Sequence, residues 1–79
     1  MSKLTEKQAE VFYFIRENVR AYNRPPSTNE MCAKFQINNN AVFERVRALI
    51  KKGAIEKRVG HRAYYPVKGY RVSIKKEPH

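Results

Sequence analysis

The chain of 79 residues is long enough for one small domain with its own core, and too short for a core together with a deep substrate pocket. It has 17 Lys and Arg residues against 7 acidic residues, which gives a net charge of +10. Residues 1–37 carry 6 basic and 4 acidic residues, whereas residues 55–79 carry 7 and 2. This uneven excess indicates a polyanionic partner, most commonly nucleic acid, with a merely solvated basic tail as the alternative.

The composition argues against several functional classes. One cysteine cannot form an internal disulfide, and Cys32, in an apolar-periodic stretch, is interpreted as a small buried side chain. The histidines and scattered glutamates form no nucleophile–base pattern and no metal-binding cluster, so we expect no enzyme, no metal and no cofactor. The sequence has no apolar leader and no run of 18 apolar residues. We therefore expect a cytoplasmic, nucleoid-associated protein without a membrane contact.

The first helix is predicted over residues 5–22. Thr5 is a good N-cap, and Gln8 three residues later completes a capping box. The apolar residues predicted to share the inward face of this helix are Leu4, Val11, Phe12, Ile15, Val19 and Tyr22. Tyr13 lies outside that face, either as an exposed aromatic side chain without a function or as a contact for a partner or a second copy.

The second helix is short. A Pro-Pro pair ends the first helix, because proline cannot continue it. Ser27 and Glu30 form another capping box, which predicts a helix over residues 28–35. Its apolar face is made by Met31, Cys32 and Phe35.

Three consecutive asparagines, Asn38, Asn39 and Asn40, stand at the start of the third helix, which is predicted to end at Lys52 before Gly53. Asparagine is a poor residue inside a helix, so the triplet has a cap, a turn or a ligand contact to make. We expect the helix to begin at the second or the third asparagine. The inward-facing side chains are predicted to be Val42, Val46, Leu49 and Ile50, with Phe43 on the flank. The outward arc is predicted to carry Asn40, Ala41, Glu44, Arg47, Ala48 and Lys51.

The spacing of apolar residues changes from helical to alternating after the third helix. The segments AIEKRV and RAYYPV flank a Gly-His pair, which predicts a β-hairpin. The segment YRVSI follows a Lys-Gly pair, a second predicted turn. Residues 57–75 therefore form either one long wing or a short three-stranded antiparallel sheet. We expect a single winged-helix domain over residues 1–75 and a frayed tail over residues 76–79.

The predicted elements follow the order of a winged helix-turn-helix: a helix, a short helix, a tight turn, a basic helix and a hairpin. This is a small α+β fold whose third helix enters the major groove of DNA. Asn40 can pair with adenine N6 and N7, and Glu44, one turn further on, can accept from cytosine N4. Ala41 allows close approach and offers a methyl group to thymine. Phe43 either closes the core or contacts a thymine methyl group. The alternatives are that Asn40 is only an N-cap and that Glu44 only pairs with Arg47.

A second group of residues is assigned to the sugar–phosphate backbone and the wing, where contacts position the protein without selecting a sequence. They are Ser27, Thr28, Asn38, Asn39, Arg47, Lys51, Lys57, Arg58, His61 and Arg62. Arg62 has the adjacent minor groove as a further destination. For Arg47 and Lys51 the alternative is a solvated charge. For Tyr64 and Tyr65, which lie among the wing cations, it is half-buried packing on the helices.

Over residues 4–56 the sequence resembles the N-terminal DNA-binding domain of the LexA repressor family. The matching segments are LTEKQAEVFYFI, RPPSTNEM and NNNAVFERVRALIKKGAIE. The resemblance implies base contacts by Asn40, Ala41 and Glu44, which have the family's residue types. Asn38 stands where the family commonly has Ser, Phe43 where it has an acidic residue, and the preceding turn is one residue shorter and lacks the usual Gly. The family's self-cleaving second domain has no counterpart in the sequence, so we expect no damage-triggered autoproteolysis.

The leading hypothesis is a transcriptional regulator, a repressor of the small type found on phages and plasmids, that binds a double-stranded DNA operator. Association of two copies on a palindromic site is left open. The first alternative is an adaptor or inhibitor that binds host transcription machinery through Tyr13 or the wing. The second is binding to RNA or to nucleic acid without sequence preference, because the net charge fits any polyanion.

Overall fold

The computed structural model describes residues 3–58 and 64–74 of the chain. In chain order its elements are the helices α1 (Glu6–Tyr22), α2 (Thr28–Phe35) and α3 (Asn39–Lys51) and the strands β1 (Ile55–Lys57) and β2 (Tyr64–Pro66). The two strands pair in antiparallel register. Three helices followed by an antiparallel pair of strands confirm the predicted α+β winged helix-turn-helix. The predicted Gly60–His61 turn lies outside the described residues.

Capping boxes fix where α1 and α2 begin. The backbone N–H of Gln8 donates to Thr5 Oγ1 at 3.2 Å, and the backbone N–H of Thr5 donates to Gln8 Oε1 at 3.1 Å. The same reciprocal pair joins Ser27 and Glu30, at 3.1 and 3.2 Å. Each box satisfies two backbone N–H groups that the first turn of a helix leaves without a partner. Both predicted starts are therefore confirmed.

Each of these two helices ends at a left-handed residue. Asn23 follows α1 with φ 58°, and Gln36 follows α2 with φ 54°. Asparagine tolerates this conformation better than most residues, because its short polar side chain bonds locally. Only two residues then separate Gln36 from α3, so the chain turns sharply between the two helices of the helix-turn-helix.

A single apolar core lies where the three helices and β1 meet. Its buried side chains are Leu4, Ala9, Val11, Phe12, Ile15, Met31, Val42, Val46, Leu49, Ala54 and Ile55. Two residues predicted to face the core are instead exposed, Tyr22 by 66% and Ile50 by 38%. Three more are only half-buried against it: Val19, Cys32 and Phe35. Tyr22 is the last residue of α1, where the helix ends at the exposed Asn23. Ile50 lies 100° around the helix from Leu49 and so falls at the edge of the apolar face.

The segment 64–74 completes the domain from outside the helix-turn-helix. The ring of Tyr70 packs 5.4 Å from that of Phe12 in α1. The predicted Lys-Gly turn is present, because Gly69 has φ 84° and the N–H of Tyr70 donates to the carbonyl of Val67 at 3.1 Å. Beyond it the chain runs parallel to the N-terminus, and Ile74 forms an isolated bridge with Leu4.

The alternative of a three-stranded antiparallel sheet is therefore wrong for the described residues, which contain a two-stranded sheet. After the turn the chain crosses to the start of α1 instead of returning along β2, since Tyr70 and Val72 pack against the core there. Residues 75–79, which include the predicted frayed tail, lie outside the described part of the chain.

Candidate nucleic-acid interface

The start of α3 gives each of the three asparagines a different environment. Asn38 is the N-cap: its Oδ1 accepts from the backbone N–H of Ala41 at 2.8 Å. Asn39 is the first helical residue, and its Oδ1 accepts from the Cys32 thiol in α2 at 3.0 Å. Asn40 lies in the first turn and is exposed. The interpretation of Asn40 as the cap is therefore wrong, because Asn38 has that role.

The outward face of α3 begins with the exposed Asn40. Glu44, Arg47 and Lys51 follow at helical spacing on this face, and all are exposed. Within the described part of the chain no ion pair joins Glu44 to a cation, so the predicted alternative of a Glu44–Arg47 pair is wrong. An amide, a carboxylate, a guanidinium and an ammonium group are thus presented together and are free to bind a ligand.

Ala41 and Phe43 complete the predicted base-contacting set. Ala41 is half-buried, in keeping with a small side chain next to the packed face. Phe43 is 37% exposed and is not one of the side chains that pack against the core. The interpretation that Phe43 closes the core is therefore wrong, since the buried positions of α3 are filled by Val42, Val46 and Leu49. The ring of Phe43 adds an apolar contact beside the outward face.

The start of α2 holds Ser27 and Thr28, which were assigned to the DNA backbone. The Ser27 hydroxyl oxygen is already used by the capping box, and Thr28 is half-buried. Beside them lies a cation that the sequence analysis did not single out. Arg24 Nη1 is 3.1 Å from the Glu30 carboxylate, and its guanidinium lies 5.9 Å from the Tyr22 ring centroid. In the sequence, Arg24 stands directly before the Pro-Pro pair that precedes α2, and this position was the available indication that it lies near the start of that helix.

Glu30 is held in its charged form at this point. The backbone N–H of Ser27 and the guanidinium of Arg24 lower the pKa of the Glu30 carboxyl from its ordinary value. Both contacts favour the carboxylate over the neutral acid. The negative charge in the first turn of α2 also suits the positive end of the helix dipole.

The two strands of the wing present different residues on their two faces. Lys57 pairs with Tyr64, which packs against the core, and Glu56 pairs with Tyr65. The Arg58 guanidinium lies 4.0 Å from the Tyr65 ring centroid and 3.9 Å from the Glu56 carboxylate. Both tyrosines are half-buried, but only Tyr64 packs against the core as the packing alternative predicted. His61 and Arg62 lie outside the described residues.

Tyr13 lies at a surface groove between α1 and α2 with a volume of about 580 Å³. The groove is lined by Glu10, Tyr13, Phe14, Glu17, Lys34 and Phe35. Tyr13 is 37% exposed, and the rings of two lining residues, Phe14 and Phe35, pack edge to face with centroids 5.6 Å apart. No residue of α3 lines this groove, so it is separate from the outward face of α3.

In the part of the chain that the structure describes, no three His, Cys, Asp or Glu side chains come together as a group that could hold a metal ion. Over the same residues no helix combines the length and the apolar character that crossing a membrane requires.

The geometry defines the class of protein. Two helices joined by a three-residue turn, the second with an exposed polar face, are packed on α1 and followed by a hairpin. This is a winged helix-turn-helix domain. Comparison with known proteins gives the particular family: the profile described as LexA DNA binding domain matches residues 1–63, and the chain belongs to this family. The family is one of DNA-binding domains, which confirms the interpretation of this domain as non-enzymatic.

Similar proteins include LexA repressors of several bacteria. Identity is 43% over 54 residues with the repressor of Azoarcus sp. (strain BH72), covering 67% of this chain and 27% of the relative. It is 40% over 57 residues with that of Cupriavidus taiwanensis, covering 71% and 26%. With that of Thermotoga petrophila it is 38% over 60 residues, covering 76% and 30%. The chain thus matches less than a third of the length of these relatives.

Proposed function

We propose that the chain binds double-stranded DNA of a particular sequence and represses transcription by occupying an operator. The observation that supports this most directly is the outward face of α3, where Asn40 and Glu44 are exposed and, among the residues that the structure describes, Glu44 is in no ion pair that would compete with a base. Membership in the LexA DNA-binding family supports the same function. The relatives are repressors, which supports repression as the outcome of binding.

Base selection is assigned to the first turns of α3. The carboxamide of Asn40 donates to adenine N7 and accepts from its N6 amino group, a two-bond pair that no other base offers in this arrangement. The carboxylate of Glu44 accepts from cytosine N4. Ala41 and Phe43 contact the methyl groups of thymine. Since a carboxylate near phosphates is unfavourable unless it is paired, Glu44 also discriminates against sites that lack a donor at its position.

Backbone contacts supply most of the affinity in this proposal. Arg47 and Lys51 extend along α3 away from its N-terminus and reach phosphates on one side of the groove. Lys57 and Arg58 do the same from the wing, with His61 and Arg62 at its predicted tip. Each neutralised phosphate releases condensed counterions, so the affinity falls steeply as salt is added.

We further propose that the protein acts as a phage- or plasmid-type regulator in the cytoplasm, with two copies on a palindromic operator. A palindrome lets two identical domains make the same contacts in opposite orientations, with half-sites one helical turn or a multiple of it apart. In this arrangement each copy has the other copy on the same duplex as its protein partner.

Selection of bound duplexes from a random pool tests this function. We expect one enriched consensus, with an inverted repeat if two copies bind together. The proposal is wrong if no sequence is enriched, or if RNA and single-stranded DNA compete as well as the selected duplex does. The second result would support the alternative of non-specific nucleic-acid binding.

A protein partner is the second candidate, and the groove around Tyr13 is the observation that favours it. Such a partner would bind without duplex DNA and with little dependence on salt. Tyr13→Ser separates the two functions, because it alters the groove and leaves the outward face of α3 intact. Loss of duplex binding in this variant would contradict the assignment of DNA binding to α3.

A further inference from the structure

Two adjacent lysines close α3, and their environments differ. Lys51 is exposed on the outward face. Lys52 is half-buried, and its Nζ donates two hydrogen bonds of 2.7 Å, one to the carbonyl oxygen of Lys3 and one to Gln8 Oε1. These bonds join residues 49 and 44 positions apart in the chain. Lys52 therefore attaches the end of α3 to the start of α1.

The acceptor of one of these bonds is itself fixed. Gln8 Oε1 also accepts from the backbone N–H of Thr5 at 3.1 Å, as part of the capping box of α1. The neighbouring Leu4 donates its backbone N–H to the carbonyl of Ser73 at 2.8 Å, which brings the last described segment to the same place. The ammonium group of Lys52 is therefore bonded at a junction where the end of α3, the start of α1 and the segment that contains Ser73 meet. One of its acceptors, Gln8 Oε1, is itself held by the capping box.

The junction controls the angle at which α3 leaves the domain. A helix of 13 residues is about 20 Å long, and the proposed base contacts lie at the end opposite Lys52. A tilt of about 10° around the midpoint would move that end by roughly 2 Å. Hydrogen bonds to base edges tolerate much smaller displacements, because they weaken steeply beyond their normal length and angle. Base contacts therefore need both ends of α3 to be held, and Asn39 with Cys32 holds the other end.

We propose that Lys52 is a positioning residue for sequence recognition and that Lys51 beside it is a phosphate contact. This inference rests on the proposed function, since it assigns a role in base selection. It separates two chemically identical side chains by what their ammonium groups touch. Phosphate contact by Lys51 adds to affinity for every duplex, whereas the Lys52 bonds affect only contacts that depend on the position of the base-contacting end.

The experiment compares Lys51→Met and Lys52→Met in titrations of selected and random duplex over a range of salt concentrations. Methionine keeps most of the length of the side chain and removes the ammonium group with its charge. Lys51→Met should weaken binding to both duplexes by the same factor and reduce the slope of log K against log salt by about 0.9. Lys52→Met should leave that slope unchanged and lower the ratio of selected to random affinity by about tenfold or more, the loss expected when a two-bond base pair is misaligned.

A second variant separates positioning from simple loss of stability. Gln8→Met removes an acceptor of Lys52 without touching α3, and it should lower the same ratio. All titrations are made far enough below the melting temperature of each variant that nearly all of the protein is folded. Two results for Lys52→Met would overturn the positioning inference and leave the proposed function standing. One is an unchanged ratio of selected to random affinity, and the other is a salt slope reduced as in Lys51→Met. If the wild-type protein prefers no duplex, the proposed function itself fails.

Discussion

Asn38 Oδ1 accepts a hydrogen bond of 2.8 Å from the backbone N–H of Ala41, and this bond starts α3. Because Asn38, the first asparagine of the triplet, makes the cap, Asn40 is not needed to start the helix. The two residues are only two positions apart in sequence and have the same side chain. They therefore form a matched pair for separating stability from recognition.

Asn40→Ala should reduce discrimination between selected and random duplex by about 1–3 kcal/mol, since it removes a two-bond contact to adenine. Its free energy of unfolding should change little, because the Asn40 side chain is exposed and alanine favours helix. Binding titrations with both duplexes and urea unfolding of the same samples make the comparison.

Asn38→Ala is the control for that measurement. It should lower the free energy of unfolding by about 1 kcal/mol through loss of the cap. Its ratio of selected to random affinity should fall less than that of Asn40→Ala. An Asn40 variant that keeps the wild-type ratio would show that the base contact is made elsewhere.

Lys57→Ala should weaken binding to all duplexes by a similar factor, because a phosphate contact is independent of sequence. The slope of log K against log salt should become shallower by about 0.9, which corresponds to one phosphate. Fluorescence anisotropy at several salt concentrations measures both quantities. Glu10→Gln on α1, which leaves the α3 face and the wing intact, is the control and should keep the wild-type slope. An unchanged slope in the Lys57 variant would show that this strand of the wing makes no phosphate contact through Lys57.

Tyr70→Ala should lower the free energy of unfolding by roughly 2 kcal/mol, since it removes a half-buried ring that packs 5.4 Å from Phe12. Thermal unfolding followed by circular dichroism measures the loss. Arg71→Ala, at the exposed next position, should stay within about 0.5 kcal/mol of the wild type. Equal stability of the two variants would mean that the segment 64–74 is not part of the folded unit.

The capping box of α2 should make stability depend on pH in a defined direction. The pKa of Glu30 is lowered from its ordinary value of 4.5, first by the backbone N–H of Ser27 and then by Arg24. A carboxyl with a lowered pKa contributes stability that is present above its unfolded pKa and is lost as the pH falls through the folded one. The difference in unfolding free energy between wild type and Glu30→Gln should therefore be constant near pH 7 and shrink as the pH falls below 4.5. A difference that grows in acid would contradict the assignment.

Local rules predicted much of this fold, and long-range contacts account for what they missed. Capping boxes and turn residues lie within three or four positions of one another, so the starts of α1 and α2 follow from the sequence. Helical periodicity placed Tyr22 and Ile50 in the core, because it contains no information on how far a neighbouring helix extends. The role of Lys52 depends on an acceptor 44 residues away, which no local pattern indicates.

The candidate site shows the same division. The outward face of α3 follows from its apolar face, which is a local property, and Asn40 and Glu44 were placed on it correctly. The position of Phe43 was open, since one residue at the edge of a helical face can turn either way. The stacking of Arg58 on Tyr65 depends on the pairing register of two strands, which becomes known only in the folded domain.

The bridge between Leu4 and Ile74 brings the first and last described parts of the chain side by side. A short flexible linker from residue 74 to residue 3 would therefore close residues 3–74 into a ring without stretching either end. New ends could then be opened at the exposed stretch 23–24, between α1 and α2. In such a circular permutant the order of the helices along the chain changes, while the helix-turn-helix that carries the asparagine triplet stays continuous.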